Sequence, residues 1–180
     1  MQILYVFSFS IIIIIVIIIT YFVITNNYTK NFDNNIFVIQ LRNGKIHKTF
    51  QGGTITFLPV IDELITIPLQ EQQTNVEIRT TNISAEKRFK IEGIINWFVK
   101  DPVNSFSNVE WDPENPNYAE NIIKDITKTK LQLNCLDQTY DYVIGNQEQF
   151  ISDTLIQISE FLTPFSLGVN SISITKIEKI

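Results

Sequence analysis

Residues 89–102 read FKIEGIINWFVKDP, and this stretch decides the fold class. Every second position from 89 to 99 is apolar, apart from a glycine, while the positions between them include charged and amide side chains. The apolar set is Phe89, Ile91, Ile95, Trp97 and Val99, and the polar set is Lys90, Glu92 and Asn96. A period of two predicts a β-strand with one buried and one exposed face, as in an antiparallel sheet. Trp97 is therefore predicted to lie in the core, and Phe98 to point to the opposite face.

Before this strand, short alternating segments are separated by residues that favour turns. Asn43-Gly44 is a strong signal for a two-residue hairpin turn, and Gly52-Gly53 predicts a second turn. Pro68 lacks an N–H donor and predicts an edge strand or the end of a strand. The predicted strands are residues 37–41, 46–50, 54–58, 65–69 and 76–80.

After the long strand, the spacing of apolar residues becomes helical. Asp101 is a favourable N-cap, and Pro102 suits the first position of a helix. Two longer helices are predicted at 117–133 and 146–162. The apolar side of the first comprises Tyr118, Ile122, Ile126 and Leu133.

The end of the chain returns to the spacing of a strand. Asn146 with Gln149 resembles a capping box at the start of the second long helix. Gly168 is predicted to break that helix before a final strand at 169–177. Strands first, helices next and one strand last define an α+β domain, in which the sheet is mostly antiparallel.

The N-terminus is a long apolar run without charge before Lys30. About twenty apolar residues in a helix cross the hydrocarbon core of a bilayer. Residues 1–24 are therefore predicted to be a transmembrane helix that anchors a single-pass membrane protein. Residues 25–35 would be a polar tether, and residues 36–180 the domain. The residues predicted to lie in the membrane as part of this anchor include Ile3, Ile11, Ile15, Ile19 and Ile24.

A cleaved secretory signal is the alternative interpretation of this run. It is disfavoured because the start carries no Lys or Arg, the run is too long, and no small-x-small cleavage site follows it. Lys30, Arg42, Lys45 and Lys48 all follow the run. By the positive-inside rule, these charges favour a cytoplasmic domain.

Composition argues against several classes of function. The formal net charge of −5 disfavours binding to nucleic acid and to anionic lipid, which both need clustered basic residues. His47 and Cys135 are each the only residue of their type, and nothing in the sequence supports a dyad between them. Asp62, Glu63 and Glu71 are predicted to be solvated strand ends. We therefore expect no catalysis, no cofactor and no metal site.

The order of several segments resembles a known family. These segments are LRNGK (41–45), GGTITFLPVID (52–62), ITIPLQEQQTNVEIRTTN (65–82), FVKDP (98–102) and LGVNSISITKI (167–177). Together they resemble the stomatin–prohibitin–flotillin–bacterial protease-regulator superfamily, whose domain is called SPFH or band 7. The resemblance covers nearly all of the chain after the predicted tether.

The resemblance implies a non-enzymatic scaffold that assembles into homo- or hetero-oligomers and organises membrane lipid and membrane proteins. The alternative is a monomeric adaptor that binds and regulates a membrane protease, with Phe98 as a candidate partner contact. Family members usually continue into a long coiled-coil helix, whereas this sequence stops at Ile180. The expectation is therefore small or labile oligomers, or co-assembly with longer SPFH proteins.

Overall fold

The computed structural model describes residues 12–23, 28–80, 88–111, 117–136 and 138–180. The strands are β1 (Thr29–Arg42), β2 (Lys45–Thr56), β3 (Asp62–Pro68), β4 (Gln72–Arg79), β5 (Phe89–Val99) and β6 (Leu167–Lys179). The helices are α1 (residues 12–23), α2 (Pro102–Asn108), α3 (Tyr118–Cys135), α4 (Tyr140–Gly145) and α5 (Gln147–Leu162), and a 3₁₀ turn follows at Thr163–Phe165. The predicted α+β order, with sheets, then helices, then a terminal strand, is confirmed.

The strands form two three-stranded antiparallel sheets, in the orders β2–β1–β3 and β4–β5–β6. β5 has the predicted bounds, and all five apolar residues of its predicted inner face are buried. Trp97 is only 4% exposed, and its indole N–H donates to the Thr74 hydroxyl at 3.0 Å. The alternation in the sequence therefore identified the central strand of the second sheet correctly.

The first hairpin contains one turn that was predicted correctly and one that was not. Asn43 and Gly44 both have positive φ, at 51° and 73°, as a two-residue type I′ turn requires. Gly52 and Gly53 also have positive φ but lie inside β2, so the second predicted turn was wrong. They instead form a corner where the β1–β2 hairpin bends.

The helices cover the second sheet, with α3 against β4 and α5, and α5 against β6. The buried residues of α3 are Ala119, Ile123, Thr127, Leu131 and Cys135. This face lies one residue beyond the predicted stripe, of which Tyr118, Ile122 and Ile126 are only partly buried. Small residues allow the helix to approach the sheet closely, and hydrophobicity alone did not identify them.

Local signals at the helix ends were partly correct. Asp101 caps α2, since its carboxylate accepts from the backbone N–H of Val103 and Asn104. The capping box was wrong: Asn146 makes no side-chain cap bond. Gly168 lies within β6, and the chain turns at Ser166, which has φ of 55°.

Around the predicted anchor, the structure describes α1 as a helix of residues 12–23, whose side chains are exposed. None of the helices in the described part of the chain is long and apolar enough to cross a membrane. Ile15 and Ile19 lie in α1, whereas Ile3, Ile11 and Ile24 lie outside the described residues. β1 already begins at Thr29, inside the stretch predicted as tether.

Candidate functional site

The bend in the first hairpin brings both ends of β1 to one end of the domain. Thr29 pairs with Thr56 at the end of β2, and Arg42 pairs with Asp62 at the start of β3. Fourteen extended residues would separate the ends of β1 by about 43 Å. The loop 57–61 that joins Thr56 to Asp62 spans at most about 22 Å. β1 must therefore curve back, and the glycine corner in β2 permits this curvature.

A buried carboxylate fastens the loop to the sheet. Asp62 accepts from Arg42 Nε at 2.7 Å and Nη2 at 3.0 Å, from Gln40 Nε2 at 2.8 Å, and from the Leu58 backbone N–H at 3.0 Å. These bonds, above all those from Arg42, hold the pKa of Asp62 well below its ordinary range. The prediction that Asp62 is a solvated strand end was wrong. It is a structural group that stays ionised at neutral pH and is unsuited to moving protons.

Loop 57–61 (FLPVI) displays apolar side chains to solvent. Val60 is 95% exposed, and Leu58 and Ile61 are also exposed. The Phe57 N–H donates to the Tyr28 carbonyl at 2.9 Å, so the loop lies directly beside the start of β1. Residue 23 at the end of α1 is five residues from Tyr28, a reach of at most about 18 Å. The end of the apolar helix therefore lies within about 18 Å of Tyr28, the residue beside which the loop lies.

Phe98, the candidate partner contact, is half-buried on the outer face of β5. Its register partner in β6 is Gly168. A Cβ at Gly168 would lie 2.6 Å from Phe98 Cζ, so the ring crosses directly over the glycine. Part of the Phe98 surface is thus used within the domain, and its role in partner binding stays a prediction.

A second exposed apolar surface lies between α3 and α5. Phe161 is 54% exposed, and the Lys130 ammonium group lies 3.6 Å from the centre of its ring. Together with Leu133 and Ile126, these residues line a groove of about 370 Å³. We call it the α3–α5 groove. The cation–π contact holds the Phe161 ring at the edge of the groove.

The groups considered for catalysis do not form a reactive site. His47 is exposed on β2, whereas Cys135 is fully buried at the end of α3. Burial raises the pKa of the Cys135 thiol to about 12, so it stays protonated and a poor nucleophile. Glu63 and Glu71 are exposed, and Glu71 accepts from the Asn170 amide at 2.6 Å. Among the described residues, no three His, Cys, Asp or Glu side chains are grouped to hold a metal ion.

Two features of the site were missed from the sequence alone. The run FLPVI carried a signal, because four apolar residues around a proline are unusual for a surface loop. The α3–α5 groove carried none, since Leu133 was counted in the apolar side of the predicted helix and the pairing of Lys130 with Phe161 depends on helix packing.

Comparison with known proteins is consistent with this architecture. Residues 32–179 match the family described as SPFH domain / Band 7 family. The match begins within β1 and ends at the last residue of β6. No curated protein matches the chain.

Proposed function

Because the chain belongs to the SPFH domain / Band 7 family, we propose that it is a membrane-anchored scaffold that organises membrane proteins or lipid. Members of this family are generally membrane-associated, non-enzymatic scaffolds or regulators. The observation that carries the proposal is the family match, which extends over both sheets and all the helices after α1.

The proposed anchor is the N-terminal apolar run, residues 1–24. Its length and lack of charge support insertion as a helix, because only a helix satisfies the backbone of a single segment in lipid. The isoleucines of α1 are between 45% and 61% exposed, as expected for side chains that contact lipid. A single-pass anchor would hold the domain against the bilayer surface.

Extraction of membranes with carbonate at high pH tests the anchor. The full chain should remain in the membrane pellet, and its N-terminus should precede Thr25. Release into the supernatant, or a mature N-terminus beyond Thr25, would refute anchoring by this segment.

We propose that the anchored domains self-associate through the α3–α5 groove. Anchoring confines the domains to two dimensions and raises their effective concentration, so a small apolar contact suffices for lateral assembly. The groove offers Leu133 and Phe161 for such a contact. Each copy would present the same surface to its neighbours, or to a longer SPFH protein.

Mass photometry of the full chain in nanodiscs tests assembly, with Phe161→Ser as the variant. Ile156→Ser is a matched control, since Ile156 lies on the same helix, is 56% exposed and does not line the groove. We expect Phe161→Ser to shift the population to monomers and the control to leave it unchanged. A monomeric parent chain at all concentrations would favour the alternative, an adaptor that binds a membrane protease.

A further inference from the structure

Loop 57–61 is held in one conformation although its side chains contact solvent. The Ile61 N–H donates to the Leu58 carbonyl at 3.0 Å, and the Asn43 N–H donates to the Ile61 carbonyl at 3.2 Å. The Leu58 N–H is bound by the buried Asp62 carboxylate. A loop fixed at this many points displays Leu58, Val60 and Ile61 as a small permanent apolar tip. Such a tip on a polar surface indicates a contact with something apolar.

The charges around this tip differ in sign from those of the rest of the chain. Between residues 28 and 61 the basic residues are Lys30, Arg42, Lys45 and Lys48, and the only acidic residue is Asp33. The remaining residues carry the other 10 of the 14 basic and 18 of the 19 acidic side chains. With Asp62 and Glu63 included, residues 28–63 carry four basic and three acidic side chains, a net charge of +1, whereas the other residues together carry −6. The acidic side chains that disfavour anionic lipid are therefore concentrated outside this end of the domain.

The register of β1 and β2 places two lysines on the same face as the loop. Lys45 pairs with Arg42, and Lys48 pairs with Gln40. Cross-strand partners share a face of the sheet, and both partners bind Asp62, which also holds Leu58. The charge of Arg42 is compensated by Asp62. Glu63 alternates to the opposite face of β3, so its side chain points away from the face that carries the lysines.

We propose that loop 57–61 enters the interfacial layer of an anionic bilayer beside the anchor, with Lys45 and Lys48 facing the lipid phosphates. Lys30 adds a positive charge at the loop itself, since its ammonium group lies 5.4 Å from the centre of the Phe57 ring. Apolar side chains at the acyl boundary and lysines extended toward headgroups are the usual combination at a membrane surface. The proposal rests on the proposed function, since the anchor brings this end of the domain to the bilayer. With a second contact point, the domain would have a fixed orientation on the membrane.

Depth-dependent quenching tests the proposal with the full chain in vesicles that contain phosphatidylserine. An environment-sensitive fluorophore is attached to Val60→Cys and, as the control, to Ile156→Cys, which is similarly apolar and exposed on α5. The unsubstituted chain controls for labelling of the buried Cys135. Position 60 should show blue-shifted emission and quenching by spin-labelled lipid, and position 156 should show neither.

The charge requirement is tested by Lys45→Glu/Lys48→Glu in the chain labelled at position 60. Each lysine near an anionic surface contributes about a fivefold preference for the membrane-bound position over water. This variant should therefore lose most of the quenching at position 60. The parent labelled chain should lose it likewise in vesicles of phosphatidylcholine alone. Equal quenching in both lipids would overturn the role of the lysines.

The proposed membrane contact of the loop and the proposed anchor can be refuted independently of each other. Resistance to carbonate with no quenching at position 60 would overturn the membrane contact of the loop, leave the anchor intact, and assign the tip to a protein partner. Release by carbonate with quenching retained at position 60 would refute the anchor and support the loop as an independent membrane contact.

Discussion

Replacement of Gly52 by alanine tests the corner that positions the loop at the end of the domain. Gly52 has φ of +61°, and a Cβ there would lie 2.6 Å from the backbone Cα of Asn34 and 2.8 Å from its backbone N. Neither atom can move without moving β1. Left-handed backbone costs about 1–2 kcal/mol for a residue with a Cβ. Forced overpacking adds about 1–3 kcal/mol.

Gly53→Ala is the matched control. Gly53 is the neighbouring residue and has φ of +84°, but a Cβ there would meet nothing within 4 Å. It should incur the backbone strain alone, and the loss of chain entropy in the unfolded state is the same for both variants. Gly52→Ala should therefore be less stable than Gly53→Ala by about 1–3 kcal/mol, the overpacking cost alone.

Thermal unfolding of the full chain in one detergent measures this difference. The fluorescence of Trp97 and Trp111, both buried and both outside the first sheet, reports unfolding of the domain. At about 2–4 °C per kcal/mol for a domain of this size, a difference of about 1–3 kcal/mol separates the midpoints by about 2–12 °C. Equal midpoints for the two variants would refute the close approach of Gly52 to Asn34, and with it the sharp bend of the hairpin.

Three further predictions concern the core and the buried groups. Trp97→Ala should lower the free energy of unfolding by about 3–5 kcal/mol because it empties a packed site; an unchanged thermal midpoint would show that the ring is exposed. The Cys135 thiol should not react with a maleimide in the native chain up to pH 9, since it is buried and its pKa is about 12; rapid labelling without denaturant would contradict this. The pKa of Asp62 is lowered in the folded domain, so its ionised form stabilises the fold. This contribution is complete at neutral pH and is lost as the pH falls below about 4, the pKa of an Asp side chain in the unfolded chain. Asp62→Asn should thus be less stable than the parent at pH 7, with thermal midpoints that converge in acid; a constant gap at all pH values would exclude an ionised Asp62.

Features that depend on local chemistry were predictable from the sequence. The alternation in β5, the Asn43-Gly44 turn and the cap at Asp101 each involve neighbouring residues only. Their physical causes are side-chain direction, positive φ and unsatisfied backbone N–H groups. The resemblance to the SPFH family rested on the same local segments, and the family match confirms it.

Two of the errors arose where a distant contact decides the conformation. Gly52-Gly53 has the composition of a turn, but β1 lies alongside β2 on both sides of it: Phe32 pairs with Gly53 and Phe37 with Gln51, with a register shift between them. Asp62 has the composition of an exposed strand end, but Arg42 and Gln40 come from a strand twenty residues earlier and surround it. In both cases the residues are visible in the sequence, but the strand register of β1 with β2 and β3, which brings them together, is not.

By itself, the sequence determined an apolar N-terminal run, an α+β domain of the SPFH type and the strand at its centre. Only the tertiary structure decided which parts of the domain lie beside the start of β1. The bend of β1 places loop 57–61, Tyr28 and two lysines of β2 at one end, although they are up to about thirty residues apart in the chain. The physical reason is that side-chain period and turn chemistry act over a few residues. The direction of a long bent strand is set instead by pairing with both of its neighbours and by the Asp62 bonds that fasten the loop to it.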